Sequence, residues 1–163
     1  MLKLSLGVLA ALTAPLAAAQ RVVDTGGFEL QPGLQEEAPS QAASIWDGVF
    51  TDAQAQRGRA VYPGPCGMCH GSRLNGAPDD PDMLSTPPLA GAKFLRNWEG
   101  RSLAALLQYT RTTMPANNPG FLSEQEFVDV IAYMLMVGGL PAGDNELNAD
   151  LPSLARIVIG QSP

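Results

Sequence analysis

Apolar positions recur at helical spacing in two stretches of the chain, and a third stretch is marked as a helix by the residues that open and close it. Thr51-Asp52-Ala53-Gln54 has the form of a capping box, a hydroxyl with Gln three residues later, and predicts a helix running to about Tyr62. Pro63-Gly64-Pro65 then stops it. A second helix is expected after Ser102, carrying Leu103, Leu106, Leu107 and Thr110 on one face and ending near Thr112 or Thr113. The clearest begins at the capping box Ser123-Glu124-Gln125-Glu126 and places Phe127, Ile131, Met134 and Leu135 at helical spacing before Gly138-Gly139. Gly58 and Tyr62 of the first helix are expected to meet Tyr133 or Phe127 of the third, because glycine lets two helices approach closely.

The segment from Gly71 to Gly100, rich in Pro, Gly and Asp, shows no strand alternation and is expected to lack regular structure. A loop of that length inside a compact domain normally counts against the assignment. A bound group that supplies the core removes the objection.

The N-terminus shapes the rest of the picture. Met1-Leu2-Lys3 is a short basic start, Leu4 to Leu16 is mostly apolar, and Ala17-Ala18-Ala19 offers small residues for cleavage before Gln20, the pattern of a secretory signal peptide. The apolar run is shorter than the ~20 residues that span a bilayer, and no later segment comes closer, so no membrane anchor is expected. No cysteine lies near the cleavage point to carry a lipid. The expected organisation is a signal peptide over 1–19, a flexible polar leader over 20–44, one folded domain over 45–140 and a C-terminal extension over 141–163. That extension includes an apolar-bearing tail, Leu151 to Ile159, which packs across the domain or meets a partner. Loss of Lys3 with the signal leaves nine basic against sixteen acidic residues, a balance of −7 that argues against nucleic acid as a partner. Export places the protein in the periplasm.

An oxidising compartment normally turns two cysteines into a disulfide. Here they stand in Cys66-Gly67-Met68-Cys69-His70, the attachment sequence of a c-type haem. Cysteines three positions apart can each form a thioether to one vinyl group of a porphyrin edge, and the next residue, His70, reaches the iron from the same side. A thioredoxin-type dithiol needs a strand–helix frame that the pattern lacks. A structural zinc site takes four ligands, and the chain has two Cys and one His. A Cys66–Cys69 disulfide would close a loop too short to stabilise much.

His70 is the only histidine, which leaves Met, Lys93, water or nothing as the sixth iron ligand. Met1 leaves with the signal, Met68 sits inside the attachment loop, Met83 follows His70 too closely to cross the haem, and Met134 and Met136 read as core residues of the third helix. Met114 remains, held by Pro115 in a stiff extended segment just after the second helix. Within Pro87-Pro88-Leu89-Ala90-Gly91, a proline carbonyl is a candidate partner for the free ring nitrogen of His70. Trp98 and Arg101, donors without acceptor capacity, are candidates to hydrogen-bond haem carboxylates. The expected cofactor-binding residues are therefore Cys66, Cys69, Pro88, Leu89, Trp98 and Arg101, with His70 and Met114 on the metal.

From Ser44-Ile45-Trp46-Asp47-Gly48-Val49-Phe50 through Arg57-Gly58-Arg59-Ala60-Val61-Tyr62, the haem motif, Pro88-Leu89-Ala90-Gly91, Thr113-Met114-Pro115 and Leu122-Ser123 to Pro141-Ala142-Gly143, the chain resembles the class I cytochrome c family. More narrowly it is similar to periplasmic cytochromes that accompany quinoprotein dehydrogenases. The resemblance implies an all-α, small cytochrome c fold: few helices and long loops wrapped around one covalent haem, with the first and last helices crossing beside it. It also implies Met114 as distal ligand and a Pro87 or Pro88 carbonyl on His70. The expected function is electron transfer from a dehydrogenase, of the quinoprotein class, to an oxidase or another cytochrome. Two other readings stay open: a five-coordinate haem enzyme or gas sensor, for which no distal histidine exists, and an obligate cytochrome subunit of a dehydrogenase complex.

Overall fold

The computed structural model describes residues 42–76 and 86–161, all within the second of the two units into which the chain divides, Pro39–Pro163. The expected signal peptide, most of the leader and Met83 lie outside the described residues. In chain order the described elements are β1 (Ala43–Ser44), α1 (Asp52–Val61), a π-helical turn (Pro63–Gly67), α2 (Met68–His70), α3 (Gly91–Trp98), α4 (Leu103–Thr113), α5 (Glu124–Val137), α6 (Leu151–Leu154) and β2 (Ile157–Val158). This helix-rich architecture with little strand is compatible with the small all-α fold expected.

Three helices begin where their caps predict. The Ser102 hydroxyl accepts from the Ala105 amide at 3.3 Å, and Ser123 and Glu126 form the reciprocal capping box of α5. At α1 the box is only half made. The Thr51 hydroxyl accepts from the Gln54 amide at 3.1 Å, but the Gln54 side chain turns inward and pairs with Leu147 in both directions, each bond 2.8 Å. A buried amide gains more from two backbone partners it can fully satisfy than from one solvated amide at a helix start.

The centre of the unit is the contact of α1 with α5. Gly58 packs so tightly on Asp129 that a Cβ there would collide with the Asp129 carbonyl. Tyr62 and Tyr133 meet edge to face at 5.4 Å between ring centroids. The Asp129 carboxylate, nearly buried, accepts from Arg57 Nε at 2.9 Å, Arg57 Nη2 at 3.1 Å and Gln125 Nε2 at 2.8 Å, so the burial of its charge is compensated. Phe127, Val128, Ile131 and Leu135 bury beside it, each contributing about 1.5–3 kcal/mol on transfer out of water.

The expected structureless run from Gly71 to Gly100 is overturned at its end, where α3 occupies Gly91–Trp98. Its N-cap, Ala90, offers no side-chain bond, and its two turns carry only Phe94 and Leu95 as buried residues. Tertiary burial, not capping, makes it a helix. Beyond α5 the chain runs back over α1: the Gly143 amide donates to the Phe50 carbonyl at 2.7 Å, Leu147, Leu154 and Ile159 are buried, and β2 pairs in parallel with β1, Ala43 opposite Ile157 and Ser44 opposite Val158. The apolar-bearing tail thus packs across the domain.

Candidate functional site

Tyr62 organises the Cys66-to-His70 segment from both ends. Pro63 and Pro65 have no amide hydrogen to continue α1, and the chain widens into a π-helical turn whose Cys66 and Gly67 amides both donate to the Tyr62 carbonyl, at 3.1 and 2.9 Å. So the proline pair re-aims the helix instead of ending it outright. One further turn, α2, presents Cys69 and His70. The Tyr62 hydroxyl then donates to the Gly71 carbonyl at 2.9 Å, just past the histidine. Burial pushes the Tyr62 hydroxyl pKa well above the usual tyrosine value, so it stays a donor.

His70 is buried, and its Nδ1 lies 2.8 Å from the Pro87 carbonyl oxygen. A carbonyl only accepts, so Nδ1 carries a proton, and in the neutral ring the lone pair is the one on Nε2. The carbonyl belongs to Pro87; Pro88 and Leu89 contribute to the wall of the adjoining cavity. The Thr86 hydroxyl donates to the Cys69 carbonyl at 2.6 Å, and the Leu89 amide to the Leu74 carbonyl at 2.8 Å. These bonds tie the segment carrying Pro87 to the one carrying His70.

The cavity has a volume of about 880 Å³, within the ~300–1,000 Å³ typical of ligand and cofactor pockets. Cys66, Cys69 and His70 line it, and so do Met114 after α4, Phe94 and Trp98 of α3, Leu106 and Tyr109 of α4, and Val130 and Met134 of α5. Met114 is extended, with φ −124° and ψ 150°, as a residue before proline prefers. Its amide donates to the Thr110 carbonyl at 2.8 Å and its carbonyl accepts from the Gly120 amide at 3.2 Å, which closes the loop that holds it. Met68 and Met134 line the cavity too. Met134, expected as a core residue, is buried and faces the cavity as well. Lys93 is exposed on α3 and is not among the lining residues.

Both cysteines are free thiols, Cys66 half-buried and Cys69 exposed. Burial, helped by the neighbouring Cys69, pushes the Cys66 thiol up to about 11, so it is protonated at neutral pH. Arg101 carries the lone guanidinium among the described lining residues. It sits over the Trp98 ring, 5.2 Å from the centroid, and Trp98 meets Tyr109 edge on at 5.6 Å. Asn97, Asn117, Asn118 and Phe121 also line the cavity without having been singled out in the sequence. Tyr109, also missed, had a usable signal, since it lies three positions after Leu106 on α4. The donor set suits a haem: two thiols for vinyl groups, an imidazole nitrogen and a thioether for iron, a cation for carboxylates and an apolar shell for the ring.

Comparison with known proteins agrees with that chemistry. The family model described as cytochrome C oxidase, cbb3-type, subunit III matches residues 53–134, a segment that holds the attachment motif and Met114. Among curated proteins the chain is similar to a thiosulfate dehydrogenase of Psychrobacter arcticus, 26% identical over 83 residues. That match covers 50% of this chain and 25% of the relative, so the chain spans about a quarter of the length of that protein. No solved structure matches. No described helix is long and apolar enough to cross a membrane. With half its length inside the family match and the haem-binding residue types gathered at one cavity, the chain belongs to this family and is a class I c-type cytochrome, an electron-transfer domain for haem c.

Proposed function

We propose that the protein is a periplasmic electron carrier with one haem c, held covalently through Cys66 and Cys69 and ligated by His70 and Met114. The observation that carries this reading is that all four residues line one cavity. When bound, the haem supplies a one-electron couple at iron. Pro87 fixes the His70 tautomer and raises the basicity of Nε2. Met114 offers a neutral thioether, which favours the reduced metal. Leu89, Phe94, Leu106 and Val130 line the cavity and would keep water from the ring, while Trp98 and Arg101, also in the lining, are the donors that would take its carboxylates.

The exposed Met68 and Cys69 support an attachment edge open to partners. Encounters there are small and transient, and the acidic chain suits donors and acceptors with basic patches. A dehydrogenase of the quinoprotein class is the proposed donor, and an oxidase or another cytochrome the acceptor. Residues 1–19 direct export, 20–44 form a leader, 45–140 the haem domain and 141–163 its extension. A second reading, a cytochrome subunit docked on a larger redox enzyme, is favoured by the family model's description as an oxidase subunit and by the partial match to a dehydrogenase. Co-purification with a dehydrogenase distinguishes it from a free shuttle.

The test is the absorption spectrum of the exported protein, oxidised and reduced, beside Met114→Ala and Met134→Leu. The expected wild type is low-spin and ignores carbon monoxide; Met114→Ala turns high-spin and binds it, and Met134→Leu stays low-spin. A high-spin wild type that binds carbon monoxide sinks the His–Met assignment and brings the enzyme or sensor reading forward. A change confined to Met134→Leu moves the distal ligand to α5.

A further inference from the structure

The C-terminal segment makes a set of contacts at one corner of the cavity. α3 ends at Trp98 and α4 begins after Ser102, so residues 99–102 are the whole junction between them, and Arg101 stands in its middle. The Gly100 amide donates to the Ile159 carbonyl at 2.8 Å, and the Ile159 amide donates to the Arg101 carbonyl at 2.8 Å. Ser102 forms an antiparallel bridge with Val158. The tail is itself fastened: β2 pairs with β1, the Trp46 indole N–H donates to the Gly160 carbonyl at 3.1 Å, and Leu154 and Ile159 are buried. This segment lies outside residues 53–134, the part matched by the family model.

The junction of four residues carries a left-handed glycine, Gly100 at φ +75°, and closes on itself through one backbone bond, the Arg101 amide donating to the Trp98 carbonyl at 3.0 Å; the Gly100 amide and the Arg101 carbonyl pair with the tail. Among the described residues Arg101 makes no salt bridge, and its guanidinium sits over the Trp98 ring. Its placement at the cavity wall therefore depends on the backbone that carries it.

We propose that Ile157 to Gly160 form a positioning strap for Arg101: by pairing with residues 100–102 they hold the guanidinium on Trp98 at the cavity wall, where it meets the carboxylates of the cofactor. This rests on the haem reading above. A guanidinium held there disfavours the extra positive charge of oxidised iron, so the strap raises the midpoint potential through Arg101. The strap itself touches no reacting atom; it acts by limiting how far Arg101 can swing into solvent.

The experiment is a double-mutant cycle read as midpoint potential on the haem-loaded protein: wild type, truncation after Arg156, Arg101→Gln, and both together. The expected result is that truncation and Arg101→Gln each lower the potential, and truncation lowers it no further once Arg101 is gone. Where the truncated protein does not accumulate, Trp46→Phe replaces it, since it removes one tail bond and keeps the chain intact; its downward shift is smaller and likewise vanishes with Arg101→Gln. An unchanged potential on truncation, or equal shifts with and without Arg101, overturns the strap. Absence of a covalent c-type haem spectrum in the wild type instead overturns the haem reading beneath it, before any variant is compared.

Discussion

At the meeting of α1 and α5 the chain supplies both sides of every contact: Gly58 against the Asp129 backbone, Tyr62 against Tyr133, and Asp129 satisfied by Arg57 and Gln125. Around the cavity it supplies one side only. Phe94, Leu106, Val130 and Met134 are drawn from three helices and turn toward a space of about 880 Å³. The same helix, α5, takes part in both regions, with Asp129 in the first and Val130 and Met134 in the second. The difference teaches which substitutions act through the fold alone and which act through the cofactor. A side chain with a protein partner on each face transmits its loss to global stability, whereas a cavity-lining one transmits it to spectrum and potential.

Gly58→Ala presses hardest on that contrast. Its new methyl meets backbone, which cannot rotate away, so α1 and α5 have to separate; the expected loss is about 3 kcal/mol, the upper end of ordinary overpacking. Thermal or denaturant unfolding reads it, and the haem spectrum is expected to keep its band positions at temperatures where the variant is folded. A shifted spectrum in folded Gly58→Ala breaks the separation between the regions. Tyr62→Phe is the intermediate case, because Tyr62 belongs to the helix contact by its ring and to the attachment segment by its hydroxyl. Loss of one buried hydrogen bond costs about 1 kcal/mol. The Gly71 amide region is expected to exchange hydrogen faster while α5 does not; uniform acceleration would mean that the hydroxyl serves only global stability.

The smallest effect belongs to Glu146, at the solvated edge of the helix contact. Its bond to Arg57, 2.6 Å, holds its carboxyl below the usual glutamate range. A lowered folded-state pKa means that this contribution is present above the unfolded value, about 4.3, and is lost as pH falls through the folded one. Glu146→Gln should therefore lower the melting temperature slightly near neutral pH, with the difference from wild type closing on acidification. A difference that does not change with pH would assign the residue a packing role.

Much of this was legible beforehand, for identifiable reasons. α1, α4 and α5 announce themselves by local features: hydroxyl caps, and for α4 and α5 apolar residues three and four apart. The attachment motif is equally local, five consecutive residues whose chemistry requires that spacing. α3 escaped because it lacks a capping side chain and spans two turns, too short for its period to stand out between Gly91 and Gly100. Gln54 misled because its sequence context is that of a cap, while its side chain answers to Leu147, 93 residues away.

The methionines show where reading along the chain stops. Spacing along the chain singled out Met114 and set Met134 aside, yet both line the cavity, because α5 turns Val130 and Met134 toward it, which sequence distance does not encode. The amino-acid sequence by itself determined the helix starts, the paired thiols beside one histidine and the electron-transfer chemistry they imply, since each depends on neighbours within a few residues. Only the tertiary structure decided that Pro87, of the two prolines expected, is the one whose carbonyl meets His70, that Gly58 seats on Asp129 and that the tail reaches Arg101, because those contacts join residues brought together by burying a shared apolar surface.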